Sequence, residues 1–97
     1  MPSLQETLAK DVADITWKDL LPHAKRDAII VIKDDLELAE VAAAIAEDNT
    51  TSVQGWIASQ SISKPTSEEL TVWNQTPQKQ FIALIVQPFV VVKEINN

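Results

Sequence analysis

Residues 38–64, LAEVAAAIAEDNTTSVQGWIASQSISK, decide the expected fold. Ala42, Ala43, Ala44 and Ala46 give the first part strong helix propensity and a thin surface, so a neighbouring helix can approach closely. Asp48-Asn49-Thr50 is turn chemistry. Thr50 or Thr51 then caps a second helix, with Val53, Trp56 and Ile57 on its buried stripe. Ile62 to Lys64 reads as a short strand stopped by Pro65. The pattern is that of a helix-turn-helix. Its second helix, Thr51 to Gln60, contains neither Lys nor Arg. It has the form of a nucleic-acid reader without the charge that drives such binding.

Upstream of this stretch, Ser3 with Glu6 forms a capping box, and Leu4, Leu8, Val12 and Ile15 recur at helical spacing. Thr16 with Asp19 predicts a second, short turn through Leu21, ended by Pro22 because proline has no amide hydrogen. Ala28 to Ile32 predicts a short strand buried on both faces. Asp34 with Glu37 predicts the cap of the helix that runs to about Glu47.

Downstream, Thr66 and Glu69 form another capping box, and Leu70 and Trp73 give that brief helix a buried face. Asn74 to Pro77 is a loop, and Phe81 to Val86 a strong strand. Phe89 to Ile95 resumes the extended pattern after Gln87-Pro88. A two-residue Gln-Pro hairpin is disfavoured, because tight hairpins use positive φ and proline forbids it. A kinked strand is expected instead. The whole order predicts one α+β domain over residues 1–97, winged-helix-like, with a small antiparallel sheet. Residues 66–80 would replace the usual wing.

The composition narrows the function. Of 97 residues, 45% are hydrophobic, one is Gly and none is Cys, which leaves no disulfide or thiolate chemistry. The formal net charge is −6, and the acids crowd into the first half: residues 1–49 hold eleven acids against five bases. Such a balance repels polyanions at long range and otherwise serves as a solvated surface. Met1 to Lys10 has no apolar run behind a basic start, and Phe81 to Val92, interrupted by Gln87-Pro88, falls short of the roughly 20 residues of a spanning helix. The expectation is a soluble cytoplasmic protein with no membrane contact.

A set of residues spread over nearly the whole chain carries a resemblance. It comprises Trp17, Pro22-His23, Arg26-Asp27, Val41-Ala42, Ile45-Ala46-Glu47-Asp48, Val53, Trp56-Ile57, Lys64-Pro65, Trp73, Phe81 and Leu84-Ile85-Val86-Gln87-Pro88-Phe89. In these the chain resembles small bacterial proteins of domain-of-unknown-function family 2288. The resemblance implies relatives but carries over no activity, substrate or cofactor.

Little catalytic chemistry is visible. His23 is the single histidine, so any triad would have to use it, with Asp19 or Asp27 beside it. A surface or capping histidine explains it better, and a site on His23, Arg26 and Asp27 is the weakest reading. With one histidine and no cysteine the usual zinc sites are excluded. Neither Asp34-Asp35-Glu37 nor Glu47-Asp48-Asn49 has calcium-loop spacing. No glycine-rich phosphate loop exists. The expectation is therefore no catalytic residue, no metal and no cofactor. Trp17, Trp56 and Trp73 are read as core.

Two binding readings remain. In the first, the chain is a non-enzymatic protein-interaction or regulatory module. Phe81, Ala83 and Ile85 would point to one face of the strand and Ile82, Leu84 and Val86 to the other, so helices on a single side would leave an apolar face open. Phe89, Val91, Lys93 and Ile95 are its candidate contacts, through edge pairing with a protein partner or a second copy. In the alternative, a winged-helix DNA-binding regulator, Thr51, Ser52, Gln54 and Ser59 read bases while Lys64 and Lys79 hold phosphates.

Overall fold

The computed structural model describes residues 4–33 and 36–95. Ser3 and Asp34, the expected caps of the first and third helices, lie outside the described residues. The elements run α1 (Leu4–Ala9), β1 (Ala13–Thr16), α2 (Trp17–Lys25), β2 (Ile29–Ile32), α3 (Leu38–Ala46), α4 (Thr50–Ala58), β3 (Ile62–Ser63), α5 (Ser67–Asn74), β4 (Gln80–Val86) and β5 (Phe89–Glu94). The fold is mixed α+β. Among the described residues its strands form one five-stranded sheet in the order β1-β4-β5-β2-β3.

That sheet is larger than the expected small antiparallel one, and it is mixed. β5 pairs β4 antiparallel, from Phe81↔Glu94 to Val86↔Phe89, and β2 parallel, from Ile29↔Val90 to Val31↔Val92. β5 is therefore central. Edge pairing through Phe89 to Ile95 is ruled out, because both sides of the strand already carry ladders. The true edges are β1 and the two-residue β3.

Val12 and Ile15 do not continue α1. The helix stops at Ala9, and residues 13–16 pair with β4 from Ala13↔Ala83 to Thr16↔Gln80. Val12 and Ile15 satisfy helical spacing by coincidence, and the ladder with β4 overrides it. Helix α2 passes through Pro22 to Lys25. Proline removes one helical hydrogen bond, but Leu20 is buried and Leu21 and Ala24 pack on the core beyond it. The Thr16 side chain makes no capping bond. Instead the Trp17 and Lys18 amides donate to the carbonyls of Lys79 (2.9 Å) and Pro77 (3.0 Å).

Both faces of the sheet are covered, so no whole apolar face is left open. On one side Trp17 and Leu20 of α2 and Trp73 of α5 meet Ile29, Val31, Phe81, Ala83, Val90 and Val92. Trp17, Trp73 and Phe81 form an aromatic trio with centroids 5.1–5.9 Å apart. Each indole nitrogen is satisfied: Trp17 Nε1 donates to Asn74 Oδ1 and Trp73 Nε1 to Glu94 Oε1. On the other side Leu38, Ala39, Val41 and Ala42 of α3 lie on Ile32, Ile62, Leu84, Val86 and Val91. Fully burying each such Leu, Ile or Val side chain contributes about 1.5–3 kcal/mol. The alanines of α3 let α1 lie against it as well. Of the apolar β4 side chains only Ile85 is exposed, at 58%.

The capping box of α5 forms as expected: Thr66 Oγ1 accepts from the Glu69 amide (3.1 Å), and the Thr66 amide donates to Glu69 Oε1 (3.0 Å). Gln87-Pro88, by contrast, is a two-residue hairpin. Its peptide bond is cis, and a cis proline at the third turn position reverses the chain without positive φ.

Candidate functional site

Helix α4 departs most from its expected role. Asn49, rather than Thr50 or Thr51, caps it, with Oδ1 accepting from the Ser52 amide at 3.3 Å. No residue of α4 is fully buried. Val53 and Trp56 are half-buried against the α3 side of the core, whereas Ile57, expected inside, is 56% exposed. The preceding turn explains this orientation. α3 and α4 each end in a residue with left-handed backbone, Asp48 (φ 59°) and Gln60 (φ 64°), a common helix stop. Three residues, Glu47 to Asn49, join the two helices.

The resulting space is an open apolar cleft of about 590 Å³ between the end of α3, α4, the β2–β3 edge and the hairpin tip. Ile30, Ile45, Val53, Ile57, Ile62 and Phe89 make its apolar lining. That size is within the range of binding clefts, roughly 300–1,000 Å³. Asp48 and Lys64 supply the charged groups of the lining. The Lys64 ammonium pairs with Asp27 from the end of α2. Glu47, next to Asp48, is exposed. Among the described residues no ion pair reaches Glu47 or Asp48.

The expected contacts separate in this frame. Phe89 opens onto the cleft. Val91 is fully buried under α3, the half-buried Lys93 donates to the Leu36 carbonyl (3.3 Å), and Ile95 donates its amide to the Gln80 carbonyl. Of the base-reading set, Gln54 lines the cleft and Thr51 is exposed on α4. Ser52 gives its amide to Asn49, and the Ser59 hydroxyl bonds the Trp56 carbonyl and Ser61 Oγ. Lys64 and Lys79 lie apart, one on Asp27 and the other on Glu94 at 3.5 Å and over the Phe81 ring. They form no shared phosphate clamp.

His23, Arg26 and Asp27 do not assemble either. Arg26 donates to His23 Nδ1 (2.8 Å) on the α2 side, whereas Asp27 turns to Lys64. His23 lines a smaller groove of about 330 Å³ with Asp11, Asp14 and Ile85. Among the described residues no cluster of three or more His, Cys, Asp or Glu side chains is placed to hold a metal ion. No helix there is long and apolar enough to cross a membrane.

Sequence reasoning missed the cleft because it assigned Val53, Trp56 and Ile57 to one buried stripe. The absence of a strong anchor was legible only in Gly55, whose flexibility lowers the helix's own stability without touching the cleft. Glycine weakens the middle of a helix, and a core-anchoring helix gains nothing from it.

Comparison with known proteins agrees with the fold and adds no activity. No curated protein matches the chain. The NMR solution structure of PA1075 from Pseudomonas aeruginosa is similar, with a TM-score of 0.80 and 28% identity over 100% of this chain and 89% of that one. The sequence model described as "Protein of unknown function (DUF2288)" matches residues 3–94. With nearly the whole chain inside that match, the protein belongs to the DUF2288 family.

Proposed function

We propose that this protein is a non-enzymatic interaction module that docks a protein partner in the cleft under α4. One observation carries the reading: a helix with no buried residue flanks an apolar cleft of about 590 Å³ and leaves Ile57 exposed at its mouth. A helix held only for packing would turn its largest aliphatic side chain inward. Exposed apolar surface beside a groove is the mark of a docking site. The separation of His23 and Arg26 from Asp27 supports a role without catalysis.

The exposed polar residues of α4, Thr51 among them, favour a second reading, the winged-helix DNA regulator. It is the weaker of the two. Lys64 and Lys79 are engaged by carboxylates, and the chain carries a net −6. Phosphate neutralisation supplies most nucleic-acid affinity.

A photo-reactive residue placed at Ile57 tests the proposal in cells. Val72 on α5 is equally exposed, 58% against 56%, and serves as the control. The expected result is a discrete protein adduct from position 57 and none from position 72. Equal adducts from both positions, or none from 57, would overturn the reading.

A further inference from the structure

Resting on that docking reading, we infer that the cleft takes a cationic amphipathic helix of the partner protein, its apolar face inside and its lysines or arginines over Asp48 and the adjoining Glu47. Charge decides the sign of the occupant. The lining carries one carboxylate, Asp48, and one ammonium, Lys64; that ammonium is already bridged to Asp27, and the exposed Glu47 adjoins Asp48 in sequence. Among the described residues, no ion pair engages Glu47 or Asp48. A second copy of this chain would bring a net −6 against the same rim, and an anionic lipid surface or a nucleic acid would meet the same repulsion.

Backbone geometry decides the form of the occupant. A strand-adding peptide needs a free sheet edge of useful length. The edge beside the cleft is β3, two residues long and followed within two positions by Pro65. It can template almost no ladder. The remaining walls are side chains from α3, α4 and the hairpin tip. They recognise an apolar helical face by side-chain packing. Basic residues flanking that face complete the match, as opposite charges at a rim set partner choice.

Three designed helical peptides test this by chemical-shift titration of the labelled protein. The first has leucine on one face and lysine on the other. The second replaces every lysine with glutamate, and the third keeps the lysines but replaces leucine with serine. The leucine–lysine peptide should shift the amides of Ile45, Val53, Ile57, Ile62 and Phe89. It should bind at least about tenfold tighter than its glutamate counterpart, from several rim ion pairs of modest individual strength. Glu47→Gln with Asp48→Asn should weaken it several-fold, and added salt should do the same. Asn keeps the left-handed backbone that position 48 requires.

Equal binding of the glutamate peptide would overturn the charge inference and leave the docking cleft standing. Equal binding of the serine peptide would overturn the amphipathic inference. If neither leucine peptide moves the cleft amides, both the inference and the docking reading fall.

Discussion

Replacing Gly55 with alanine should stabilise the protein, and the size of the gain follows from the geometry. Gly55 lies in the interior of α4 with no positive φ, and a Cβ built there meets nothing within 4 Å. The substitution therefore brings no steric penalty, and the intrinsic helix preference of alanine applies at about 0.8–1.0 kcal/mol. In a domain of this size such a gain raises Tm by about 4–8 °C. Amide exchange within α4 should slow about fivefold, the factor that corresponds to 1 kcal/mol. Thermal unfolding by circular dichroism gives the first number and hydrogen exchange gives the second. An unchanged or lowered Tm would refute the reasoning. It would mean either that α4 is not helical through Gly55 in solution, or that another backbone approaches there.

Three further outcomes follow from the packing. Thr66→Ala removes one arm of the α5 capping box and should lower stability by about 1 kcal/mol, read as a lower urea midpoint with an unchanged slope. Phe81→Ala empties the centre of the aromatic trio from a fully buried position. A loss of about 3–5 kcal/mol is expected, enough to leave much of the protein unfolded at moderate temperature; a Tm shift of only a few degrees would contradict this packing. At Glu69, burial pushes the carboxyl pKa up, but the Thr66 amide, Lys33 and the Thr66 side chain outweigh it, and the net pKa is lowered. A lowered folded pKa means that the stabilisation is present above the ordinary glutamate value of about 4.3 and is lost as pH falls below it. Glu69→Gln keeps the capping geometry but removes the charge, so its stability should fall less steeply on acidification than that of the parent. Parallel acid profiles would argue against the Lys33–Glu69 pair.

The parts of the fold that are legible in the sequence are those whose cause is local. Thr66 and Glu69 both act within one turn, and the α5 cap is as their spacing predicts. The run from Ile29 to Ile32 is apolar throughout because it is sandwiched between two helical layers. Where a distant partner decides, the spacing misleads. Ile15 fits a helical stripe with Leu8 and Val12, yet the pairing of Ala13 to Thr16 with Gln80 to Ala83 puts it in a strand. The placement of β5 between β4 and β2 depends on a parallel crossover that no local pattern encodes. At Gln87-Pro88 the expectation rested on the positive φ of ordinary tight hairpins, and the turn between Val86 and Phe89 does not use it. The cleft was hidden for a related reason: apolar spacing marks Ile57 as able to be buried, but not by what.

The covering of the sheet bears directly on α4. α2 and α5 close one face and α1 and α3 the other, so α4 contributes to the core only the half-buried Val53 and Trp56. Ordering each residue of the helix costs about 1–2 kcal/mol of backbone entropy, and little burial offsets it here. That balance places α4 at the low end of local stability, as for many binding elements. An occupant that packs on Ile57 and Val53 would supply the missing burial. Binding of the leucine–lysine peptide should therefore slow exchange in α4 by more than an order of magnitude at saturation, since burying even one such side chain is worth about 1.5–3 kcal/mol. Amides of β4 and β5 that exchange only through global unfolding should change in proportion to peptide concentration above Kd, as mass action requires. Protection gained in the strands alone, with α4 unchanged, would locate the peptide away from the cleft and separate α4 from the binding function.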